Sequence, residues 1–514
     1  MMRILSYQSE VVGDKVSLTD GQRSITTDSI DEVFEWMRGA KNGIYNFTWD
    51  LETFMRPIIG ILPEESRLEL EKSKRIFVHD YYFIYNKGKG ITIGKGKNDP
   101  GIFRCYHLCQ YFPDEAEQDY DLPTVVLKAQ QLYDELASIG IHAPSFSSPI
   151  SIFEDSIYKL HMPNDSMMPE GACEMALICS RRSWTEAVRI GHFPEGTWYY
   201  DQRSAYPSAM QGLLDCRAEY GDWIQSAKEP KGSVYGFAQG EVKVTSELSP
   251  VIYKDIYSKQ SNPKDEWPTC ISKCLLDCIR ELGIGDMAIR DGWWWIPKRR
   301  ILPVQKYIYS MYSKRARSPT LNWVIKKAIN GFYGKLLQTF DDGVPTTKLY
   351  NPVWAAIIED IIKVKDAKFI YSNKIQANVI VVAQDAVMTD KPVDLPPETH
   401  KMGEWRLDDS SPALVVSSTV VFHGKKRPLG FTYDEAVKAI QEKPNDVMWT
   451  KRNGHGERAF YLQTNPMQHD RHFDKIPGCG AELLANQYRS RAYEVSELAQ
   501  GDNVLKTHEG GVLE

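Results

Sequence analysis

Two acids of this sequence stand where a strand runs out. GTWYYD, residues 196–201, is an aromatic and β-branched run that ends on Asp201, and NVIVVAQD, residues 378–385, carries the β-branched run Val379–Val382 with Asp385 just beyond it in a turn. A carboxylate at the lip of a sheet can hold a metal ion. Two from distant sequence, on neighbouring strands, can hold two Mg²⁺ ions about 3.5–4 Å apart for in-line phosphoryl transfer. Either acid alone is more simply a solvated strand-end residue. Between them NWVIKKAINGFYGKLLQ, residues 322–338, reads as a helix ended by Gly334. Lys326, Asn330 and Tyr333 recur at spacings of four and three, on one helical face. That face offers an ammonium to neutralise a triphosphate and a ring on which a base pair can rest.

Composition bounds what these residues can serve. The chain has 514 residues, 42% hydrophobic and 25% charged, a globular composition long enough for several domains. No apolar run approaches the roughly 18 residues needed to span a bilayer. The start, MMRILSYQSEVVGDK, lacks the apolar core and cleavage site of a signal peptide. Nine cysteines without the tight spacing of a secreted scaffold fit reduced thiols, so a cytoplasmic location is expected, the host cytoplasm if the source is viral. The net charge of −6 argues weakly against nucleic acid, but local charge argues for it. Residues 298–317, KRRILPVQKYIYSMYSKRAR, carry seven Lys/Arg, no acid and three tyrosines, a pattern suited to tracking phosphates beside stacking rings. Lys298, Arg299, Arg300, Arg315 and Arg317 are its candidate DNA-binding residues, a solvated helix face being the plainer alternative.

The elements that must position these groups fall into three parts. Residues 1–175 alternate strands such as RIFVHDYYFIYN and KGITIGKG with helices such as SIDEVFEWMRGA, in which Ile30, Val33, Phe34 and Met37 keep helical spacing, and so read as α/β. The helix LPTVVLKAQQLYDELASIG leads into HAPSFSSPIS, a connector by composition. Residues 176–400 hold strands, long helices and both acids. Residues 401–514 turn to the strand-like PALVVSSTVVFHGK and then to polar, less periodic sequence.

With these residues in hand the sequence resembles the family B DNA polymerases, nearest their protein-primed, viral and organellar branch. Asp201-Gln-Arg-Ser204-Ala-Tyr206-Pro207-Ser208 is similar to the first palm motif, D-x-x-S-L-Y-P-S, with Ala205 for leucine. Lys326-x-x-x-Asn330-Gly331-x-Tyr333-Gly334 is similar to the fingers motif, K-x-x-x-N-S-x-Y-G. The third motif, Y-x-D-T-D-S, is matched only by VVAQDA, with Val381 at the tyrosine, Ala383 at the first aspartate and Asp385 at the second. The resemblance implies a right-hand polymerase of α/β and α+β domains: an RNase H-like exonuclease-type domain in 1–175, palm and fingers in 176–400 with an insertion at about 215–300, and palm end and thumb in 401–514. It implies that Asp201 and Asp385 are the catalytic metal ligands, for two Mg²⁺ ions that Mn²⁺ can replace. Tyr206 would exclude a ribose 2′-hydroxyl, Lys326 and Lys314 would bind phosphates, and Asn330 and Tyr333 would contact the nascent pair. The implied partners are a DNA template-primer and dNTPs, with a terminal priming protein as a further candidate and no membrane. The Lys-x-Tyr that the family carries before the thumb is missing, with Ser418-Thr419-Val420 in its place.

Asp50-Leu-Glu52 looks like the first motif of a proofreading exonuclease, D-x-E, yet its context aligns better with the second, H-N-x-x-F-D, as Tyr45-Asn46-Phe47-Thr48-Trp49-Asp50. The third motif, Y-x-x-x-D, would survive as Asp121 with Glu117 at its tyrosine. The domain is therefore expected to keep Asn46, Asp50 and Asp121 as remnants of an exonuclease without activity. Cys270, Cys274 and Cys278 in CISKCLLDC read as a buried stripe on one helix rather than a zinc site. The tryptophans of DGWWWIPKRR are left between core and DNA. The expectation is a template-directed, Mg²⁺-dependent DNA polymerase without proofreading. Two alternatives stand beside it: an inactivated relative serving as a DNA-binding or scaffold subunit, and a nuclease using Asp50 and Glu52.

Overall fold

The computed structural model describes residues 3–39, 44–86, 88–96, 99, 101–180, 183–254, 260–261, 264–339, 343–415, 421–424, 432–442, 447–453, 456–462 and 504–505. It divides into two units, Met1–His161 with Tyr309–Phe332, and Met162–Ile308 with Tyr333–Glu514. Ser418-Thr419-Val420 and much of the expected thumb lie outside the described residues.

The first unit follows the sequence as β1 (Arg3–Ser6), α1 (Ile30–Arg38), β2 (Ile44–Thr48), α2 (Leu51–Gly60), β3 (Arg75–Val78), β4 (Tyr81–Asn86), β5 (Gly90–Gly94), β6 (Phe103–His107), α3 (Leu122–Ser138) and α4 (Pro149–Tyr158). The sheet order is β1-β2-β6-β5-β4-β3. The β1–β2 and β2–β6 pairs are parallel and the rest antiparallel. Ser29 caps α1 by accepting from the Glu32 N–H, and Ile30, Val33, Phe34 and Met37 are all buried, as their spacing predicts. RIFVHDYYFIYN is two strands rather than one. His79, at φ 50°, lets the chain turn back between β3 and β4. The connector is shorter than its composition suggests, because Ser148 caps α4 and Pro149 takes its first turn.

The second unit opens with α5 (Glu170–Cys179), β7 (Thr185–Ala187), β8 (Arg189–Gln202) and α6 (Ala205–Met210). The region of the expected insertion forms β9 (Gly221–Gln225), β10 (Tyr235–Val244), β11 (Glu266–Ser272), α7 (Lys273–Glu281) and β12 (Gly285–Pro297), with antiparallel sheet order β9-β12-β10-β11. Trp294 and Trp295 of β12 are fully buried, which assigns them to this core. Cys270 is on β11, not on the helix with Cys274 and Cys278, and its thiol lies 3.1 Å from that of Cys179. Next along the chain come α8 (Gln305–Lys314) and α9 (Pro319–Lys335), of which Tyr309–Phe332 belong to the first unit; Gly334 lies inside α9 rather than ending it.

After these, α10 (Pro352–Ser372), β13 (Val379–Ala383), β14 (Ala386–Thr389), β15 (Trp405–Val415) and β16 (Val421–His423) complete the larger sheet, in order β7-β13-β14-β8-β15-β16. Both faces of β13 are covered. Val379 and Val382 pack with Phe369 and Ile370 of α10, while Ile380 and Val381 pack with Phe193 and Met388. Burial on both sides is why the strand reads as an unbroken apolar run, each such side chain contributing about 1.5–3 kcal/mol.

Asn351 holds the start of α10. Fully buried, it accepts from the Trp354 N–H at 2.9 Å and donates to the Pro163 carbonyl at 2.8 Å. Asn351→Ala removes a cap and strands a buried carbonyl, a loss of about 2–3 kcal/mol. Thermal unfolding followed by circular dichroism should show a melting point lowered by several degrees. An unchanged melting point would contradict this account of the helix start.

Candidate active site

β8 delivers Asp201 one residue before its end, and the β13–β14 hairpin delivers Asp385 in its turn. The strands are neighbours: Asp201 pairs with Ala386, and the Gln202 N–H donates to the Asp385 carbonyl at 2.9 Å. The turn is tight because Gln384 adopts a left-handed φ of 64° and its N–H donates to the Trp184 carbonyl. Two acids far apart in sequence thus meet on adjacent strands. Ala383 ends β13 opposite Thr185, and no carboxylate takes its place on the strand.

The electrostatics show how much negative charge converges here. Burial first, and then the fields of Asp201, Asp385, Asp408 and Asp366, push the Tyr199 phenol well above its usual range. Asp366 comes from α10, fully buried, and accepts from Gln202 Nε2 at 2.8 Å. Burial and the charge of Asp385 drive its carboxyl well above the usual carboxylate range, towards the neutral form. Arg406, opposite Asp201 on β15, donates from one guanidinium nitrogen to Asp201 at 3.1 Å and to Asp408 at 3.0 Å. The register slips between Tyr199 and Tyr200, so that Asp408 has no partner on β8 while Arg406 faces Asp201. Hard oxygen donors in a negative field fit a divalent cation that keeps most of its ligands as water or substrate oxygens. Among the described residues, no group of three or more His, Cys, Asp or Glu side chains is arranged to hold a metal ion.

The chain after Asp201 turns sharply. Ser204, at φ 52°, starts α6, which carries Tyr206. The Tyr206 ring lies 4.9 Å from that of Tyr333 at 45°, and its hydroxyl is 3.1 Å from Ser183 Oγ. Tyr333 in turn donates its hydroxyl proton to Glu359 of α10. Burial pushes the Glu359 carboxyl up to about 7, against the opposing pulls of Lys363 and the Tyr333 hydroxyl. Lys365 donates to Ser208 Oγ at 2.8 Å, close to Gly403. Gly403 sits at φ 80°, where a Cβ would run into Ser208 and the Lys365 ammonium.

Asp201, Asp385, Tyr206 and Tyr333 are therefore brought together in the second unit. Lys326 and Asn330 are exposed on the part of α9 that belongs to the first unit. There Lys314 donates to the Ile139 carbonyl at 3.0 Å and Arg317 to that of Ser138 at 3.3 Å, so both cations meet the C-terminal end of α3. Arg315 donates to Asn322 at 2.9 Å and lies over the Tyr312 ring. In the second unit Lys298 pairs with Asp222, Arg299 lies over Tyr220, and Arg300 is exposed.

The residues expected as exonuclease remnants have structural roles. Asp50 caps α2, accepting from the N–H groups of Glu52 and Thr53 and from the Thr53 hydroxyl. Those bonds outweigh burial and hold its carboxyl below the usual range. Asp121 caps α3, and Asn46 is buried between Tyr7 and the Arg104 carbonyl.

Glu359, Asp366, Arg406 and Lys365 were not singled out from sequence. The signal that could have found the first two is the charge in PVWAAIIEDIIKVKDAKFIYS. Glu359, Lys363 and Asp366 fall at intervals of four and three in a helix rich in apolar residues, and all three are buried.

The raised Glu359 value has a definite sign. Its folded-state value, about 7, lies above the ordinary 4.5, so its contribution to stability is complete below about pH 4.5 and is lost as pH rises through 7. Glu359→Gln removes that dependence while keeping an oxygen for Tyr333. Denaturant unfolding at pH 5 and pH 8 should show the variant gaining on the parent at pH 8, by up to about 3 kcal/mol. An equal difference at both pH values would contradict the buried-acid account.

With this geometry the overall fold resembles that of a polymerase. It is similar to Phi29 DNA polymerase complexed with primer-template DNA and incoming nucleotide substrates, at a TM-score of 0.59 and 12% identity over 90% of this chain and 99% of that one. The orthorhombic crystal form of Phi29 DNA polymerase gives a TM-score of 0.58 at 12% identity, over 89% and 100% of the two chains. The Phi29 polymerase complex with single-stranded DNA gives 0.55 at 12% identity, over 91% and 94%. No family model and no curated protein matches the sequence. The likeness is one of fold.

Proposed function

We propose that this protein is a template-directed DNA polymerase that adds dNTPs to a primer 3′ end and does not proofread. The observation that carries the reading is the meeting of Asp201 and Asp385 on adjacent strands, within a polymerase fold. In the reaction the primer 3′-hydroxyl attacks the α-phosphorus of the incoming nucleotide, and pyrophosphate leaves in line. Asp201 and Asp385 would hold two Mg²⁺ ions, or Mn²⁺ in their place, and such ions would supply activation of the hydroxyl and neutralisation of charge on the leaving oxygens. Arg406 keeps Asp201 compensated when no other cation is near. In this reaction Tyr206, packed against Tyr333, would meet the sugar and exclude a 2′-hydroxyl. Lys326 supplies a charge for the triphosphate and Asn330 a contact to the nascent pair. Lys298, Arg299, Arg300, Arg315 and Arg317 serve the template-primer phosphates. Lys314, which donates to the Ile139 carbonyl, is a further cation for the nucleotide phosphates.

In this reading residues 1–175 are an exonuclease-type domain that has lost its chemistry, 176–400 are palm and fingers, and 401–514 complete the palm and thumb. The sheet of residues 221–297 is the surface we assign to a priming protein or to DNA. No helix among the described residues is long and apolar enough to cross a membrane. One set of observations favours a second reading, a DNA-binding scaffold. Ala383 leaves the site one carboxylate short, and Arg406 already engages Asp201.

Asp201→Asn and Asp385→Asn should each lower primer extension by at least about 10²–10³, the scale of losing one preorganised charged group, while gel-shift affinity for template-primer stays near the parent's. Extension at the parental rate by either variant contradicts the palm assignment. A parent that binds but never extends, with Mg²⁺ or Mn²⁺, supports the scaffold.

Proofreading has its own test. The parent should leave a labelled single-stranded 3′ end intact, with or without metal. Degradation that vanishes in Glu52→Ala would show that Asp50 and Glu52 are a nuclease site.

A further inference from the structure

A carboxylate buried beside an aromatic pair needs an explanation, because burying a charge is costly unless it is well bonded. Glu359 is 6% exposed in the middle of α10. One of its oxygens accepts from the Tyr333 hydroxyl, and the other is buried with no hydrogen-bond partner. The nearby Lys363 is committed to Asp360 at 2.9 Å, both of them buried, and reaches Glu359 only through its field. The single direct contact that Glu359 makes with strength is thus to Tyr333. Tyr333 stands against Tyr206, whose hydroxyl meets Ser183 on its other side. The result is a chain of contacts from the long helix through two rings: Glu359, Tyr333, Tyr206, Ser183.

We propose that Glu359 is a positioning residue for sugar selection: by fixing the Tyr333 hydroxyl it holds the Tyr333 ring as a wall behind Tyr206. The inference rests on the polymerase reading, in which Tyr206 excludes a 2′-hydroxyl. Exclusion by contact requires the excluding ring to be held to within about half an ångström, since a ring that yields admits the larger sugar. A purely apolar wall would leave Tyr333 free to rotate about its side-chain bonds. An anchored hydroxyl removes that freedom, and a carboxylate is the stronger acceptor. A structural role alone predicts something different, namely loss of stability and of rate for every nucleotide alike.

The test is the ratio of dNTP to rNTP incorporation, as kcat/KM, in single-nucleotide addition by the full chain. It compares the parent, Glu359→Gln, Glu359→Leu, Tyr333→Phe and the double variant Glu359→Leu/Tyr333→Phe, with Tyr206→Ala as reference. Glu359→Leu and Tyr333→Phe should each lower the ratio about tenfold, and the double variant should lose no more than either, because both remove one hydrogen bond. Glu359→Gln, which keeps an acceptor, should stay near the parent. Tyr333→Phe is nearly isosteric and keeps the test alive if the leucine variant folds poorly, which melting curves would reveal. Unchanged ratios in Tyr333→Phe and Glu359→Leu, alongside a loss in Tyr206→Ala, overturn this inference alone. An unchanged ratio in Tyr206→Ala overturns the role of that ring. A parent that adds no nucleotide overturns the polymerase reading and this inference with it.

Discussion

The antiparallel register that sets Asp201 opposite both Ala386 and Arg406 presses several carboxylates towards one edge of a single sheet. Like charges so placed repel, and the rest of the site is arranged around that repulsion. Arg406 compensates Asp201 and Asp408 together. Asp366, beneath them in the core, is driven towards its neutral form and held by Gln202, the residue whose N–H also fixes the Asp385 carbonyl. Gln202 therefore ties strand, hairpin turn and helix at one point. In the proposed reaction that negative charge would hold the metals against a triphosphate that competes for them.

The long helix Pro352–Ser372 shows the cost of this arrangement. Most of its surface is buried, yet it carries Glu359, Asp360, Lys363 and Asp366 inside. Asp360 and Lys363 offset each other, and the fields of Asp360 and Glu359 keep the lysine charged despite burial. Glu359 and Asp366 have no such full compensation, and each has a buried oxygen without a hydrogen-bond partner. An apolar helix of the same shape would fold at least as well. Local rules broken in a core, next to the residues proposed to do chemistry, are where function rather than stability is expected to have chosen the side chain.

Much of this was legible in the sequence because it follows from short-range rules. Val379–Val382 read as an apolar β-branched strand, and the spacing of Ile30, Val33, Phe34 and Met37 as one face of a helix. Asp201 and Asp385 were visible as strand-end acids. What the sequence could not supply was pairing. The contact of Asp201 with Arg406 depends on a register slip at Tyr199–Tyr200, and that of Tyr206 with Tyr333 and Glu359 on three elements converging through the core. Cys270 was misplaced because a strand runs directly into a helix at Ser272, with no punctuating glycine or proline. Asp50 and Asp121 read as exonuclease remnants, and what the sequence did not show is that each caps a helix, because an N-cap and a metal ligand call for the same residue type.

The central claim is that this sheet edge adds the nucleotide a template specifies. The most direct measurement offers the purified protein four primer-templates that differ only in the first unpaired template base, each with the four dNTPs singly, in Mg²⁺ and in Mn²⁺. The account predicts addition of the complementary nucleotide in each case, strongly preferred over the other three, and none by the Asp201→Asn variant. Addition that ignores the template base, or addition that survives in Asp201→Asn, would contradict it.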